Sequence, residues 1–550
     1  MKKTWIPEKY RDILLAFGLS LGLMAVFRLF GVLVYDTNDD AIMASLSYGY
    51  YGTPEGKLIY INPALGAVLA FLQRTVPSAP WYYLAELGIL GLSMAALYWL
   101  ILKERHLPEV LPALAVLTVL LVQTELFRLQ YTKISGCAAA AGMLLLFEAA
   151  QARRKWYGYL PGLLLALLGF CLRNTAFAMV LIPMAGVGLW QLAECWKRGE
   201  RKQIGAMVLS FCTLFGICGG LHFVENRAYA GENWQAYQRY NQLRTELMDY
   251  GFPEYEENRA LYASLGITEE DLALYKSWDF GDPERFNVET MEALCQAKER
   301  QTFSVRALVG SGKSAVRGLM RYDFAAGLLM ALLLAAVCGG KKHLPVVLYE
   351  VLALFGTEAW LLYSGRGLRE RVDGALVIAV CAVLLAVSRR NKFRELTGRG
   401  CALLALAVAL SQVPSFLARK DDAMERYVGG AHLQSAYQVL AADTDRFYFT
   451  RTDELPADRL PGRQGGMGYY ANIGQLGGWL TESPYVKQRN AAYGIRNPYR
   501  DLVDSDRILL MSNDIEPVLR YIRAYYAPDA QAVEVGSVRG EYSLWKFVSQ

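Results

Sequence analysis

Near the start of the chain, three carboxylates lie within one short polar run. The run Tyr35-Asp36-Thr37-Asn38-Asp39-Asp40 directly follows the first long apolar segment. Mutual repulsion and partial removal from water raise the pKa of one carboxyl group in such a run, which suits a general base. The clustered oxygens could also bind Mg²⁺ or Mn²⁺, although the residues define no certain metal site. The structural alternative is a helix cap, because Asp and Asn side chains accept hydrogen bonds from the first backbone N–H groups of a helix.

A second short polar connection, between two apolar segments, concentrates arginine. The stretch from Tyr363 to Arg371 contains Arg366, Arg369 and Arg371. A guanidinium presents a planar fork of donors that matches the oxygens of a phosphate. We therefore expect these arginines, mainly Arg366 and Arg371, to bind the phosphate of a lipid. Pairing with membrane headgroups or with neighbouring carboxylates is the alternative.

Polar residues in other connections are further candidates for substrate binding. Arg128 and Gln130 lie in a polar stretch after an apolar segment and could form hydrogen bonds with sugar hydroxyls. Arg173 interrupts a longer apolar stretch together with Asn174. In each case the alternative is that a short turn at a membrane surface simply requires a polar residue.

The long segment from 224 to 322 is acidic and rich in tyrosine and tryptophan. Aromatic faces can stack on sugar rings, but a folded helical loop needs aromatic anchors as well. Thr268 to Asp271 has the pattern of a capped helix start. Gly310-Ser311-Gly312-Lys313-Ser314 resembles the end of a nucleotide-binding P-loop, but Ala307 stands where that pattern requires glycine. We interpret this stretch instead as the entry to the eighth membrane span.

Cysteine and histidine indicate neither a zinc site nor a disulfide framework. Eight of the nine cysteines lie in or beside apolar runs, and the four histidines are far apart. No HExxH or CxxC motif is present. We expect the cysteines to be small buried hydrophobic side chains.

The composition places these candidates in a polytopic membrane protein. The 550 residues are 54% hydrophobic and only 20% charged, which excludes a disordered chain and argues against a cytosolic enzyme. A span needs about 20 mostly apolar residues. Eleven segments are predicted to span, at roughly 12–34, 81–102, 108–124, 134–150, 158–172, 175–193, 204–223, 323–339, 344–363, 372–388 and 400–417.

Basic residues in the short loops predict the orientation. With the N-terminus in the cytoplasm, every cytoplasmic loop is basic, including Arg153-Arg154-Lys155 and Arg389-Arg390. The C-terminus is then extracytoplasmic. This arrangement requires the short apolar segment 63–76 to be an interfacial helix and not a span. The protein is thus expected to be an integral plasma membrane protein.

The predicted organisation has two domains. Residues 1–417 form a transmembrane domain with two large outer loops, 35–80 and 224–322. Residues 418–550 have a balanced, soluble composition, and they alternate β-rich and helical patterns. Strands are predicted at 446–450, 507–511, 532–535 and 544–548, with a helix at 516–526. The C-terminal part is therefore expected to be a small extracytoplasmic α/β domain.

The order of these parts resembles the GT-C class of glycosyltransferases, integral membrane enzymes that use polyprenyl-phosphate-linked sugars. The shared features are a first span, an acidic motif just outside it, two surface helices in the first outer loop, many further spans and a C-terminal extracytoplasmic domain. The resemblance covers nearly the whole chain, and the acidic run is its only motif. It implies that Asp39 or Asp40 is the catalytic base, with Asp36 as a third candidate. The absence of a WWD-type motif argues against transfer of an oligosaccharide to asparagine.

The resemblance further implies an inverting transfer of a sugar from a polyprenyl-phosphate donor to a glycan, lipid or protein acceptor on the outer membrane face. Phosphate is a good leaving group, so a carboxylate base and cations for the departing phosphate suffice. A transporter or lipid-linked-glycan flippase is an alternative, because Glu86 and Glu350 lie within spans. A non-catalytic envelope assembly protein is another. The net charge of +5 is small, and nucleic acid is not an expected partner.

Overall fold

The computed structural model describes residues 8–29, 33–103, 105–298, 303–338, 340–387, 398–452, 460–462 and 465–549. Helices form most of its first half. The elements up to the long polar segment are α1 (Glu8–Leu29), β1 (Val34–Tyr35), α2 (Asn38–Tyr48), α3 (Pro63–Thr75), α4 (Trp81–Leu102), α5 (Leu107–Leu121), β2 (Arg128–Leu129), α6 (Tyr131–Gln151), α7 (Leu160–Leu172), α8 (Asn174–Lys197) and α9 (Arg201–Ala228). A π-helical turn, Val122–Leu126, continues α5.

Short helices then build the long polar segment, and longer helices return to the bundle before the C-terminal sheet. The remaining elements are α10 (Glu232–Tyr250), α11 (Arg259–Ser264), α12 (Glu269–Lys276), α13 (Val288–Ala297), α14 (Val305–Leu319), α15 (Ala325–Cys338), α16 (Leu344–Tyr363), α17 (Glu370–Val387), α18 (Gly398–Ser411), α19 (Val413–Ala442), β3 (Phe447–Thr450), β4 (Ile473–Gln475), α20 (Pro484–Ala492), α21 (Pro498–Asp504), β5 (Ile508–Met511), α22 (Glu516–Tyr525), β6 (Gln531–Val538) and β7 (Tyr542–Val548). The predicted cap at Thr268 is confirmed, because its side chain accepts the Asp271 N–H at the start of α12.

Eight helices among the described residues are long and apolar enough to cross a membrane. They are α1, α4, α5 with its π-helical turn, α6, α8, α9, α16 and the α18–α19 pair. These helices expose many large apolar side chains, such as Leu209 on α9 and Leu352 on α16. A water-soluble protein would not expose such a surface over this many helices. The chain is therefore a polytopic helical membrane protein.

Three of the eleven predicted spans do not meet this length and hydropathy standard. Segments 158–172 and 323–339 form α7 and α15, with 13 and 14 residues. At 1.5 Å per residue α15 reaches about 21 Å, and α7 together with the 3-10 turn Trp156–Tyr159 before it reaches about 27 Å, both short of a bilayer core of about 30 Å. Segment 372–388 forms α17, whose first turn carries Glu370, Arg371 and Asp373. Eight spans are supported by the structure, and the count of eleven stays a prediction.

Two boundaries differ from the sequence interpretation. The stretch Gly310–Ser314, interpreted as the entry to the eighth span, belongs to a helix of its own. It lies inside α14, a separate helix that ends at Leu319, and the chain turns before α15 begins at Ala325. The predicted domain boundary at 417 lies inside α19, which continues without a break to Ala442.

The C-terminal residues form a five-stranded sheet in the order β4-β3-β5-β7-β6. The strand β3 pairs in parallel with β4 and β5, while β7 pairs antiparallel with β5 and β6. Every residue of β3 and β5 is buried, as expected for central strands covered on both faces. The four predicted strands and the helix α22 are confirmed, and β4 is an additional strand within the Gly-rich stretch.

The sheet domain packs on one end of the helical bundle. The hydroxyl of Tyr50, just after α2, accepts the Gly465 N–H at 2.9 Å, and its carbonyl accepts the Tyr470 N–H at 2.8 Å. We call this end of the bundle, which carries α2, α3 and the start of α6, the domain side. The segment 63–76, predicted to be an interfacial helix, is helical as α3, which ends before Pro77.

Candidate functional site: a cavity between Asp39 and three arginines

A two-stranded parallel pair positions the acidic run. The strand β1 pairs with β2, so that Val34 lies beside Arg128 and Tyr35 beside Leu129. The Asp36 N–H then donates to the Leu129 carbonyl at 2.9 Å. The chain turns at Thr37 into α2, whose first turn contains Asp39 and Asp40. Adjacent residues on a helix point about 100° apart, so these two carboxylates face different surroundings.

Asp39 meets Arg371 across a gap of more than 330 residues in sequence. The Arg371 Nη1 donates to the Asp39 Oδ2 at 2.9 Å. Both side chains are partly accessible, with 12% of Asp39 and 30% of Arg371 exposed. A charge-assisted pair at this distance fixes both groups, and their exposure leaves room for a ligand.

The pair opens onto a cavity of about 530 Å³ on the domain side, which we call the site cavity. Its cationic lining comes from three separate parts of the chain and comprises Arg173, Arg244, Arg366, Arg369 and Arg371. Its carboxylates are Asp36, Asp39, Asp249 and Glu370, and its aromatic residues are Tyr60, Tyr131, Trp278 and Trp479. The volume and the mixed lining suit a polar, anionic organic ligand.

All three arginines of the predicted phosphate-binding connection line the site cavity. Arg366 and Arg369 lie between α16 and α17, and Arg371 begins α17. In the part of the chain that the structure describes, neither Arg366 nor Arg369 forms an ion pair. These two guanidinium groups can therefore bind an incoming anion without first breaking an ion pair with a described carboxylate.

Aromatic rings and two further arginines form the opposite wall. The Arg173 guanidinium lies over the rings of Tyr60 and Tyr131, at 4.7 and 5.6 Å from their centroids. Arg244 lies 5.3 Å from the Trp278 ring. Such cation–π contacts hold the guanidinium groups in place, and hydrogen bonds from Arg244 Nη2 to Asn241 and Thr245 fix that side chain further. Arg173 thus lines the cavity where the sequence analysis expected a substrate-binding residue.

Asp36 also lines the cavity, but it forms ion pairs with basic side chains that lie outside the cavity. Its carboxylate lies 3.3 Å from Lys133 Nζ and 3.6 Å from Arg128 Nη1. Burial alone would raise the pKa of Asp36, but attraction to Lys133 and Arg128 outweighs it and lowers the pKa. A carboxylate held ionised in this way is a weak proton acceptor, so Asp36 is better suited to fixing the cavity wall than to acting as a base.

Asp40 points away from the site cavity into the protein. It is fully buried and accepts the Tyr131 N–H at 3.0 Å and the Tyr82 hydroxyl at 3.2 Å. Burial raises the pKa of Asp40 to about 7, and repulsion by the Asp39 carboxylate adds to the increase. Of the two bases predicted from the sequence, only Asp39 lines the cavity.

Two other predicted contacts are corrected by the structure, because Arg128 and Gln130 do not line the cavity. Arg128 donates to Asp422 at 2.6 Å and lies 3.6 Å from Glu370, so carboxylates occupy it. Gln130 is fully buried and caps α6, where its side-chain oxygen accepts the Thr132 and Lys133 N–H groups. Both residues support the cavity from behind, and neither is placed to contact a sugar.

Sequence reasoning missed several lining residues, above all Arg244 and Asp249 on α10. Their pattern is that of an ordinary polar helix face, so no local signal marks them. Trp278 and Trp479 belong to segments whose aromatic content was noted, but their meeting depends on tertiary contacts. The Trp278 carbonyl accepts the Gly478 N–H at 3.0 Å, and an added Cβ at Gly477 would lie only 1.8 Å from that carbonyl oxygen. Glycine is therefore required for this close approach.

A bound divalent cation finds limited support. Among the residues that the structure describes, no group of three or more His, Cys, Asp or Glu side chains is close enough to hold a metal ion. Of the three carboxylates in the acidic run, only Asp36 and Asp39 line the cavity, because Asp40 is turned inward. Two carboxylates could contribute to a Mg²⁺ or Mn²⁺ site only if substrate phosphate completed it.

No family model, curated protein or solved structure matches this chain. A function for this protein is therefore inferred from the geometry of the site cavity.

Proposed function

We propose that the protein transfers a sugar from a polyprenyl-phosphate donor to an acceptor hydroxyl, with inversion at the anomeric carbon. The observation that carries this proposal is the meeting of Asp39 with Arg371 in a cavity that Arg366 and Arg369 also line. One carboxylate and several cations are the groups that this reaction needs. The proposal keeps the resemblance to the GT-C class as its guide to architecture and chemistry.

The reaction uses the cavity as follows. The acceptor oxygen attacks the anomeric carbon from the face opposite the phosphate, and Asp39 takes the proton of the acceptor hydroxyl. The bond between the anomeric carbon and the phosphate oxygen breaks, and the phosphate leaves with the bonding electrons. Arg366 and Arg371 stabilise the negative charge on that oxygen. The products are the inverted glycoside and polyprenyl phosphate.

The Asp39–Arg371 pair gives donor binding a second effect. A phosphate is a better partner for a guanidinium fork than a single carboxylate oxygen. When the donor phosphate binds Arg371, it competes with Asp39 for that side chain. The Asp39 carboxylate then gains freedom to accept a hydrogen bond from the acceptor hydroxyl. The base thus becomes available once the donor is in place.

The remaining walls fit the sugar and the acceptor. Trp278 and Trp479 present aromatic surface to the cavity, and aromatic faces pack well against sugar rings. Arg244 and Asp249 supply hydrogen-bond donors and acceptors on the same side. The lining does not select one sugar by itself, so a panel of donors is the appropriate probe.

The proposed orientation places the site cavity outside the cytoplasm, on the plasma membrane. Its support is the cluster Arg153, Arg154 and Lys155, which is exposed at the end of α6 opposite the domain side. Positively charged loops favour the cytoplasmic side. Other basic residues used in the prediction, Lys2 and Lys3 and those from Arg389 to Arg394, lie outside the described residues.

The test uses the full chain reconstituted in proteoliposomes. A panel of synthetic polyprenyl-phosphate monosaccharides is supplied, and release of polyprenyl phosphate is measured by mass spectrometry. We expect at least one donor to be consumed, and the Asp39→Asn variant to lose this activity. Arg154→Gln is the matched control, because Arg154 is an exposed arginine at the opposite end of the bundle. Equal donor loss with the wild-type protein and with empty liposomes would contradict the proposal.

The buried acid Glu350 favours a second candidate, a proton-coupled transporter or lipid-linked-glycan flippase. Glu350 lies within the span-length helix α16 and has no exposed surface. Among the described residues, neither of its carboxylate oxygens has a hydrogen-bond partner. Ionisable groups inside a membrane commonly mark a transport path. Movement of an intact lipid-linked sugar between leaflets, without release of polyprenyl phosphate, would favour this candidate.

A further inference from the structure

The helix α14 has three distinct faces. One face packs on the protein through Ala315 and Leu319, which are fully buried. The next face is apolar and exposed, and the third is basic. At 100° per residue, the exposed apolar face and the basic face are neighbours along the whole helix. This sequence of faces distinguishes α14 from a span, which is apolar on all sides, and from an ordinary surface helix.

The exposed apolar face is formed by residues one or two turns apart. It consists of Val305, Val309, Val316 and Met320, with 65%, 55%, 44% and 36% of their surfaces exposed. Phe303, just before the helix, is 68% exposed, and its ring contacts the ring of Tyr363. A contiguous apolar strip of this kind requires a covering partner.

The basic face carries Arg306, Lys313 and Arg317, all of which are exposed. Within the described part of the chain, none of the three forms an ion pair. No acidic residue occurs between Val305 and Leu319 to balance these charges. The strip therefore has a clear charge preference, and its partner should be anionic.

Contacts at both ends place α14 at the domain-side surface of the bundle. The Ser304 N–H, at its start, donates to the Tyr363 hydroxyl at 3.0 Å. Near its end, an added Cβ at Gly318 would overlap the Leu368 side chain. Tyr363 ends α16 and Leu368 lies in the connection after it. Gly312, in the middle of α14, lies beside Ala359 of α16, so α14 packs against the domain-side end of that span-length helix.

We propose that α14 lies in the interfacial layer of the membrane and binds anionic phospholipids. Its valines insert into the outer part of the acyl chains, and Arg306, Lys313 and Arg317 contact the lipid phosphates. Two observations select a lipid surface as the partner. The basic strip is complementary to anionic headgroups. The Phe303 ring, just before α14, contacts the Tyr363 ring, which in turn contacts Trp360, 56% exposed near the end of the span-length helix α16. Tryptophan is typical of that depth in a membrane.

The inference does not depend on sugar transfer, although α14 borders the connection that holds Arg366 and Arg369. Anionic lipid held along α14 would keep negatively charged headgroups close to the site cavity. A glycosyltransferase, a flippase or an assembly protein could each use such a helix. Failure of the proposed reaction would therefore leave this inference standing, and the two can be tested separately.

A photo-crosslinker tests where the apolar face lies. The full chain is placed in nanodiscs of phosphatidylcholine with 30% phosphatidylglycerol, with benzoylphenylalanine at Val309. Matched positions are Leu209 on a span-length helix, 69% exposed, and Val533 in the sheet domain, 45% exposed. We expect Val309 to capture lipid at a yield close to that at Leu209. A yield as low as that at Val533, or capture of a second protein copy instead of lipid, would overturn the proposal.

A charge variant tests the basic face. The triple change Arg306→Gln, Lys313→Gln and Arg317→Gln should lower the ratio of phosphatidylglycerol to phosphatidylcholine captured at Val309 about fivefold or more, because each basic residue near a membrane surface contributes roughly that factor. The matched control is the same change at Arg496, Arg507 and Arg520, three exposed arginines of the sheet domain. An unchanged ratio in the α14 variant, or an equal decrease in the control, would overturn the proposal.

Discussion

Replacing Asp39 with asparagine is the sharpest perturbation of the proposed reaction. Asparagine keeps the side-chain shape and an oxygen to which Arg371 can donate, but it cannot take a proton from an acceptor hydroxyl. Asp40→Asn is a matched change at the adjacent residue. Because the pKa of Asp40 is raised, its buried carboxyl group spends much of its time protonated near neutral pH, and asparagine imitates that form.

The expected size of the effect follows from the role of a general base. Proton transfer to a positioned side chain contributes about 10²–10⁴-fold to a rate, which equals roughly 2.7–5.5 kcal/mol of barrier. Asp39→Asn should therefore lower turnover by at least about a hundredfold. The folded state should lose no more than about 1 kcal/mol, because the Asp39–Arg371 pair is partly exposed and one hydrogen bond is kept.

The assay measures turnover of the donor in proteoliposomes for wild type, Asp39→Asn and Asp40→Asn, together with the thermal midpoint of each. We expect Asp40→Asn to stay within about tenfold of wild type, since Asp40 does not line the site cavity. The reasoning is refuted if Asp39→Asn retains activity within tenfold of wild type. It is also refuted if Asp40→Asn, folded and present at normal levels, is the variant that loses activity.

Three further predictions concern the phosphate, the sugar and the buried carboxyl group. Arg366→Gln should raise the KM for the donor about tenfold or more, because a charge-assisted hydrogen bond contributes about 1.5–3 kcal/mol. The control Arg154→Gln should leave the KM unchanged. An unaltered KM in Arg366→Gln would show that Arg366 does not bind the phosphate. Trp278→Ala should raise the same KM about two- to tenfold, as expected for lost aromatic packing. Trp156→Ala is the control, because Trp156 is 75% exposed at the opposite end of the bundle. Equal effects of the two changes on the KM would argue against a contact between Trp278 and the sugar. The pKa of Asp40 is higher in the folded protein than in the unfolded chain. Its contribution to the free energy of unfolding is therefore complete below pH 4, about the ordinary aspartate pKa, and is lost as the pH rises through about 7. Asparagine does not titrate, so the thermal midpoint of Asp40→Asn relative to wild type should increase from pH 5 to pH 7.5; a constant difference would contradict the burial argument.

The sequence could predict which groups lie at the same end of the bundle, because two groups separated by an even number of spans lie on the same side of the membrane. Asp39 and Arg371 both lie at ends of apolar segments, and basic loops identify the opposite ends. Their placement on one side depends only on how many times the chain crosses between them. The strands and the helix α22 of the sheet domain were likewise predictable from local pattern, since a period of two residues differs from one of 3.6.

The sequence could not predict which of the clustered side chains would face the cavity. Asp39 and Asp40 differ by one helical step, and the direction of that step is set by the packing of α2 against α3 and α4. Gln130 has the composition of a sugar-binding residue, but its position just before α6 makes it a cap. Arg244 and Asp249 enter the cavity only because α10 folds back over it. Such orientations are decided by tertiary contacts and leave no periodic signal.

The helix α14 illustrates a different limit. Its sequence alternates small, apolar and basic residues, which is compatible with the start of a span. Only the turn between Leu319 and Ala325 shows that it is a separate helix. A span and an interfacial helix differ by length and by which face stays polar, and both properties become clear only when the ends are known.

The central claim is that the site cavity holds the phosphate of a polyprenyl-phosphate donor between Asp39 and the arginines. A structure of the full chain with bound polyprenyl phosphate tests it most directly. We predict that the phosphorus lies beside the guanidinium groups of Arg366 and Arg371. The Asp39 carboxylate should face the phosphate oxygen that carries the sugar in the donor. A phosphate found elsewhere, for example among the basic residues Arg153, Arg154 and Lys155 at the opposite end, with the site cavity closed to it, would contradict the account.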